Sequence, residues 1–149
     1  MRNPEKFWGR MAKDVDPQSD QLDEEQSRMV QKIAKYLTED DVVLDYGCAR
    51  GGITLALADK VKMIHGIDLS LKMIAIAKKR LARRTLKNVV FQQTKLCNTP
   101  FTPASFEVVF ALNVLHLVEN PNQTIARINK ILKPSGRFIF ETSCLKGQG

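Results

Sequence analysis

Apolar and polar positions change period along the chain, and the change outlines its elements. Leu22, Met29, Val30, Ile33, Ala34 and Leu37 recur at three- and four-residue spacing behind a capping Ser19 or Asp20. This spacing predicts an amphipathic leading helix over residues 20–38 that lays one face on a sheet. Val42-Val43-Leu44 then forms a short β-branched run ending at Asp45, and Gly47, Gly51 and Gly52 separate it from the apolar run Ile53 to Ala58. The order is strand, glycine loop, helix. Lys62 to Ile67 reads as a second strand ending at Asp68, and Ser70 caps a helix carrying Met73, Ile74, Ala77 and Leu81. Val89-Val90-Phe91, Phe106 to Phe110 and Arg137 to Phe140 supply three more strands. The helix before the last of them starts at Asn120-Pro121 and stops at Lys133-Pro134, with Gly136 just beyond.

Strands alternating with helices require a parallel sheet covered on both faces, because each parallel crossover needs a helix-length connection and turns right-handed. The expected fold class is therefore α/β, a doubly wound, Rossmann-like sheet. Ligands of such sheets bind beyond the carboxyl ends of the strands, where strand order reverses. That directs attention to Asp45 to Gly52, Asp68, the Thr94 region and Ala111 to His116.

Composition limits the picture. With 149 residues, 44% of them hydrophobic, the chain has the length of one domain and can bury a core without disulfides or metal. No repeat or linker divides residues 1–149. The longest nearly apolar stretch, Val108 to Val118, is about half of what a spanning helix needs and contains Asn113 and His116, so no membrane span is expected. The first residues lack an apolar export signal, and a cytoplasmic location is the expectation. Cys48, Cys97 and Cys144 are far apart with only two histidines to help them, which argues against zinc or a disulfide framework and for small, partly buried side chains.

The net charge of +7 is unevenly spread. Acids crowd the first quarter, whereas Lys72, Lys78, Lys79, Arg80, Arg83, Arg84 and Lys87 crowd the middle. That run is either a basic binding face or a solvated helix face.

The chemistry concentrates at Asp45-Tyr46-Gly47-Cys48-Ala49-Arg50-Gly51-Gly52. Glycines let a backbone turn tightly and approach a ligand, and the following helix start offers free N–H groups. Asp45, directly before the loop, would repel a pyrophosphate and favour an ammonium or sulfonium group. Asp68 ends the next strand 21 residues after Gly47, near the spacing at which an acid accepts hydrogen bonds from ribose hydroxyls. Together they suggest a nucleoside with a cationic tail and disfavour a nicotinamide dinucleotide. The plainer alternative is a tight turn followed by a helix-capping aspartate.

Val43-Leu44-Asp45-Tyr46-Gly47-Cys48-Ala49-Arg50-Gly51 resembles the first motif of class I S-adenosylmethionine-dependent methyltransferases, in their small-molecule, quinone-methyltransferase-like branch. Further matches follow in the family's order: His65-Gly66-Ile67-Asp68-Leu69-Ser70 with Met73, Ser105-Phe106-Glu107-Val108-Val109, Asn113-Val114-Leu115-His116 and Leu132-Lys133-Pro134-Ser135-Gly136-Arg137-Phe138. Phe7-Trp8-Gly9-Arg10-Met11-Ala12 also looks like a segment of that branch. The resemblance implies a strand order of 3-2-1-4-5, S-adenosylmethionine as cofactor with S-adenosylhomocysteine as product, no metal, and a small-molecule acceptor.

By the same resemblance, Asp45 and the backbone of Gly47, Cys48, Ala49, Arg50 and Gly51 surround the methionine moiety, and Asp68 binds the ribose. Leu69 and Met73 line the adenine, and Ala111 with Leu112 lies beside the sulfonium. Four places depart from the pattern, one of them Glu107 for the usual Asp of the fourth strand, a change conservative in charge and read as structural. Ala49 stands for a common glycine, and Arg50, where a small or hydroxylated residue is usual, either pairs with the ligand carboxylate or points to solvent. Gln93-Thr94-Lys95-Leu96 lacks the acid that often reads adenine, leaving Thr94 or the backbone of Lys95 and Leu96 to substitute. No general base stands out; His116 is the catalytic candidate, with a structural role as its alternative.

The expected function is methyl transfer from S-adenosylmethionine to a small molecule. An RNA or DNA methyltransferase using the basic helix, and a non-catalytic cofactor-binding remnant, are the alternatives. Residues 1–19 form an N-terminal segment and 42–142 the cofactor core. The resembled family continues into an antiparallel hairpin that this chain is expected to lack. Its fifth strand should then show an open edge that invites self-association.

Overall fold

The computed structural model describes residues 21–112 and 120–141. Its elements in chain order are α1 (Glu24–Ala34), β1 (Val42–Tyr46), α2 (Gly52–Leu57), β2 (Met63–Asp68), α3 (Leu71–Ala82), β3 (Val89–Gln93), β4 (Phe106–Leu112), α4 (Pro121–Ile131) and β5 (Leu132–Glu141). The five strands form one parallel sheet in the order β3-β2-β1-β4-β5, so the doubly wound reading and its strand order hold. Strand order reverses at β1, whose neighbours are β2 on one side and β4 on the other. The crevice of the fold therefore opens at the end of β1, where Asp45 sits.

Successive strand residues face opposite layers, and the core divides accordingly. Val43, Ile64, Val108 and Phe110 pack with Ile33 of α1, Leu55 and Leu57 of α2, and Ile74 and Ala77 of α3. On the other face Leu44, Ile67, Val109 and Ala111 pack with Ile128 and Ile131 of α4. Each fully buried Leu, Ile or Phe contributes about 1.5–3 kcal/mol by leaving water. No helix among the described residues is long and apolar enough to cross a membrane.

The leading helix starts later than its apolar period suggested. Asp23 is the cap: its Oδ1 accepts from Gln26 N at 2.7 Å, while Gln26 Oε1 accepts from Asp23 N at 3.0 Å. This reciprocal box satisfies two end groups at once, and an aspartate cap stabilises by about 1 kcal/mol. The helix also ends at Ala34, short of residue 38. Ser19 and Asp20, the expected caps, lie outside the described residues, as do Phe7 to Ala12, Asn113 to His116 and Cys144. Ser70 and Asn120 cap α3 and α4 as expected, accepting from Met73 N and Gln123 N.

The fifth strand departs further from expectation. The preceding helix stops at Ile131, and β5 begins at Leu132 instead of Arg137. Phe106 faces Leu132 but Val108 faces Arg137, so two steps along β4 match five along β5. The excess forms a bulge at residues 133–136, where Pro134 needs no ladder donor. A side chain at Gly136 would meet Leu132 Cδ2 and the Lys133 carbonyl at 2.9 Å. The Glu107 carboxylate fastens the bulge, pairing with Lys133 through Oε1 while Oε2 accepts from Val42 N at 2.6 Å. Among the described residues β5 pairs only with β4, leaving its outer edge open, and Phe140 on it is exposed.

Candidate functional site

The loop between β1 and α2 reverses the chain by placing alternate residues in the left-handed region: Gly47 at φ +83°, Ala49 at +52° and Gly51 at +81°. Glycine accepts this freely, whereas Ala49 bears about 1 kcal/mol of strain. Gly51 has a second constraint, since a Cβ there would lie 2.5 Å from Phe91 Cζ. Gly47 N and Cys48 N both donate to the Ile67 carbonyl, at 2.8 and 3.0 Å, and Gly51 N donates to the Cys48 carbonyl at 2.9 Å. The loop is thus tied to the end of β2, and these N–H groups are already used within the chain.

Two buried carboxylates meet there. Asp68, 6% exposed, accepts from Ala49 N through Oδ2 at 2.8 Å and from Ser70 N through Oδ1 at 2.9 Å. Burial raises its pKa above the ordinary 3.8, opposed by the Ser70, Ala49 and Leu69 N–H groups. Asp45, 4% exposed, accepts from Thr54 Oγ1 at 2.5 Å. Burial lifts its pKa from 3.8 to about 7; the Thr54 bond opposes the rise and repulsion from Asp68 adds to it. Near neutrality Asp45 is therefore poised between acid and carboxylate. Burial also raises the Cys48 thiol well above its usual range, so Cys48 is a packed thiol and no nucleophile.

These groups border a cavity of about 220 Å³. It brings together Asp45, Gly47, Cys48, Ala49, Arg50, Asp68 and Leu112 from the sequence-derived set. Gly51 lies behind the loop against Phe91 and Ala77, and Met73 is buried within the α3 side of the fold. Ala111 and Leu96 point into the core layer around Ile128, because strand alternation sends Leu112 alone of the β4 pair to the cavity. Thr94 and Lys95 do not border it, but Thr94 N donates to the Asp68 carbonyl at 3.0 Å, and Gln93 Nε2 donates to the Leu69 carbonyl at 2.9 Å. The segment after β3 is thereby fixed beside the Asp68–Leu69 turn. His116 lies outside the described residues.

Several residues of the site carry no signal in the sequence. Glu25, Gln26 and Met29 of α1 form one wall of the cavity, so the leading helix does more than cover the sheet. Arg80, in the middle of the basic run, is 3% exposed and donates through Nη1 to the Arg50 carbonyl at 3.5 Å, under the loop. One cysteine corrects an expectation, and one histidine takes a packing role. Cys97 is exposed, not partly buried. His65 rests edge-on against Phe101 and Phe106 at 5.6 and 5.7 Å, and burial lowers its pKa, which marks it as a packing residue.

A family model described as a methyltransferase domain matches residues 37–148. The 27-O-demethylrifamycin SV methyltransferase of Amycolatopsis mediterranei is 33% identical over 130 residues, covering 84% of this chain and 47% of the relative. The demethylmenaquinone methyltransferase of Lactobacillus johnsonii is also 33% identical, over 69% of this chain and 44% of its own length. The chain spans less than half the length of these relatives. A solved structure of a putative S-adenosylmethionine-dependent methyltransferase from Methanococcus maripaludis shares the fold with a TM-score of 0.79 at 22% identity, over 95% of this chain and 67% of that one. The cyclase SpnF aligns with a TM-score of 0.71 at 29% identity, over 74% and 43%. Strand order, the carboxylates that end β1 and β2, and the family match agree: the chain belongs to the class I S-adenosylmethionine-dependent methyltransferase family.

Proposed function

We propose that the cavity binds S-adenosylmethionine and that the chain supports transfer of its methyl group to a small acceptor molecule. The observation that carries this reading is the pair of buried carboxylates, Asp45 and Asp68, bordering one cavity under a loop of left-handed residues. When bound, the cofactor supplies a methyl group on cationic sulfur, which needs no metal to leave. Asp68 accepts backbone N–H groups through both oxygens, and a carboxylate offers about four lone-pair sites, so it retains acceptor capacity for the hydroxyls of a vicinal diol. Asp45, titrating near neutrality, becomes a full carboxylate beside a ligand cation. Leu69, Met73, Thr94, Lys95 and Leu96 belong to the adenine end in this reading. Leu112, with Ala111 behind it, stands at the transfer end. Catalysis is then chiefly positioning, with the acceptor held in line with the methyl group.

Several finer points go with this reading. Residues 42–142 act as the cofactor core of a single domain. The free Cys48 and Cys97 suit a reducing cytoplasm. The open β5 edge is a place for self-association. A nucleic-acid acceptor is less favoured, because Lys72, Arg80, Arg83 and Arg84 of the basic run all have interactions within the chain. Calorimetric titration with S-adenosylhomocysteine tests the proposal. Saturable binding that weakens at least several-fold in Asp68→Ala supports it. Absence of binding by the folded chain would overturn it.

A further inference from the structure

On the other side of Met29 and Leu112 from the cofactor cavity, α1 and the end of β5 enclose a second groove of about 360 Å³. Those two side chains border both hollows, so their occupants would be neighbours. Tyr36 and Phe140 form its aromatic walls, and both are exposed, at 48% and 55%. Arg137 lies over the Tyr36 ring at 5.4 Å and Phe140 stacks on Phe138 at 5.2 Å, and the ring surface that stays exposed at this concave place is where an apolar ligand gains by covering it. Lys32 and Lys35 also line the groove, and neither has a carboxylate partner among the described residues. Among the described residues the groove has one carboxylate, Glu141, which is the register neighbour of Leu112 and therefore stands at the cofactor end.

We infer that this groove is the acceptor site, and that its occupant is a small, flat, apolar molecule bearing a carboxylate. The inference rests on the S-adenosylmethionine reading, since Leu112 makes the groove an acceptor site only if the methyl group lies beside it. The volume falls within the range of small-molecule pockets. The rings suit a planar body, and two ammonium groups with no carboxylate partner among the described residues suit an anion. Glu141 repels that anion from the cofactor end, so the ligand's charge lies toward Lys32 and Lys35 and its other end toward the methyl group.

The test is a titration of the intact chain, first with S-adenosylhomocysteine and then with 2-naphthoate, followed by amide proton–nitrogen correlation spectra. A parallel titration uses the neutral 2-naphthylmethanol. Naphthoate should shift Met29, Tyr36, Leu112 and Phe140, and should bind about fivefold more weakly to the Lys32→Gln/Lys35→Gln variant. Both lysines are exposed, so the variant should fold, and its unchanged S-adenosylhomocysteine affinity verifies that. Equal binding of the alcohol would overturn the inference. So would naphthoate shifts confined to the loop around Asp45 and Asp68, no naphthoate binding at all, or concentration-dependent dimerisation that shifts Phe140 without any probe. If S-adenosylhomocysteine binds and naphthoate does not, the acceptor groove falls alone. If S-adenosylhomocysteine fails to bind, the cofactor reading falls and takes the acceptor role with it.

Discussion

Replacing Asp45 with asparagine should stabilise the fold at pH 8 while weakening its ligand site. Asparagine keeps an oxygen for Thr54 Oγ1, which Asp45 holds at 2.5 Å, but carries no charge to bury. In the parent chain the Asp45 pKa is near 7 when folded and 3.8 in its ordinary state, so the folded chain holds a proton that the unfolded chain gives up between those values. Folding stability therefore falls as pH rises through that window, the sign expected when the unfolded state binds fewer protons. Integrated from pH 5 to pH 8, the loss is about 2–3 kcal/mol. The variant lacks this loss. Asp68 and Glu107 titrate in both proteins and largely cancel in the comparison. Urea unfolding at pH 5, 6, 7 and 8 measures the difference, which should widen steadily in favour of the variant. A gap that stays constant across the series would refute the reasoning, because it would mean that Asp45 is not charged at a cost to the fold.

The ligand side of the same linkage has the opposite sign. S-adenosylhomocysteine affinity should rise from pH 6 to pH 8 as Asp45 ionises toward the ligand ammonium, with proton release seen by calorimetry in buffers of different ionisation enthalpy; in Asp45→Asn the affinity should be weaker and nearly flat. Gly51→Ala should cost about 3 kcal/mol or more in thermal unfolding, because it adds left-handed strain to a contact at 2.5 Å with Phe91, and Phe91→Leu should recover part of that loss. Ala49→Gly should change stability by less than about 1 kcal/mol, since relief of strain at φ +52° offsets the entropy of a new glycine; a larger loss would show that the alanine methyl packs against something essential.

Most of the sheet was legible because its strands are short apolar runs. Val42 to Leu44, Val89 to Phe91 and Phe106 to Phe110 can hardly be anything else between turn signals, and Asp45 and Asp68 were marked by where such runs end. The shortfalls have local physical causes. Asp20 and Asp23 are both plausible helix caps, and only the return bond from Gln26 decides for Asp23. Pro134 and Gly136 look like helix stops, yet the edge position of β5 lets the ladder absorb them as a bulge held by Glu107 and Lys133. Arg80 reads as one more solvated cation, but its place on α3 carries it under the Arg50 carbonyl. Nothing in one sequence says that Glu25, Gln26 and Met29 will wall the cavity, because that contact joins segments whose separation no local pattern encodes.

The loop is where sequence and structure differ most usefully. A glycine-rich turn before a helix suggests a backbone cradle with N–H groups waiting for an anion. In this chain Gly47, Cys48, Ala49 and Gly51 all donate their N–H groups internally, and Ala49 donates to the Asp68 carboxylate. Asp68 is in effect the anion that this turn holds. A pyrophosphate would have to displace it and then lie near Asp45, two obstacles of the same sign. A ligand with hydroxyls for Asp68 and a cation for Asp45 meets neither. The selectivity we propose for the cavity thus comes from two carboxylates fixed within the chain, Asp68 by the N–H groups of Ala49 and Ser70 and Asp45 by the Thr54 hydroxyl of α2, while the glycines bring the loop close enough to hold Asp68.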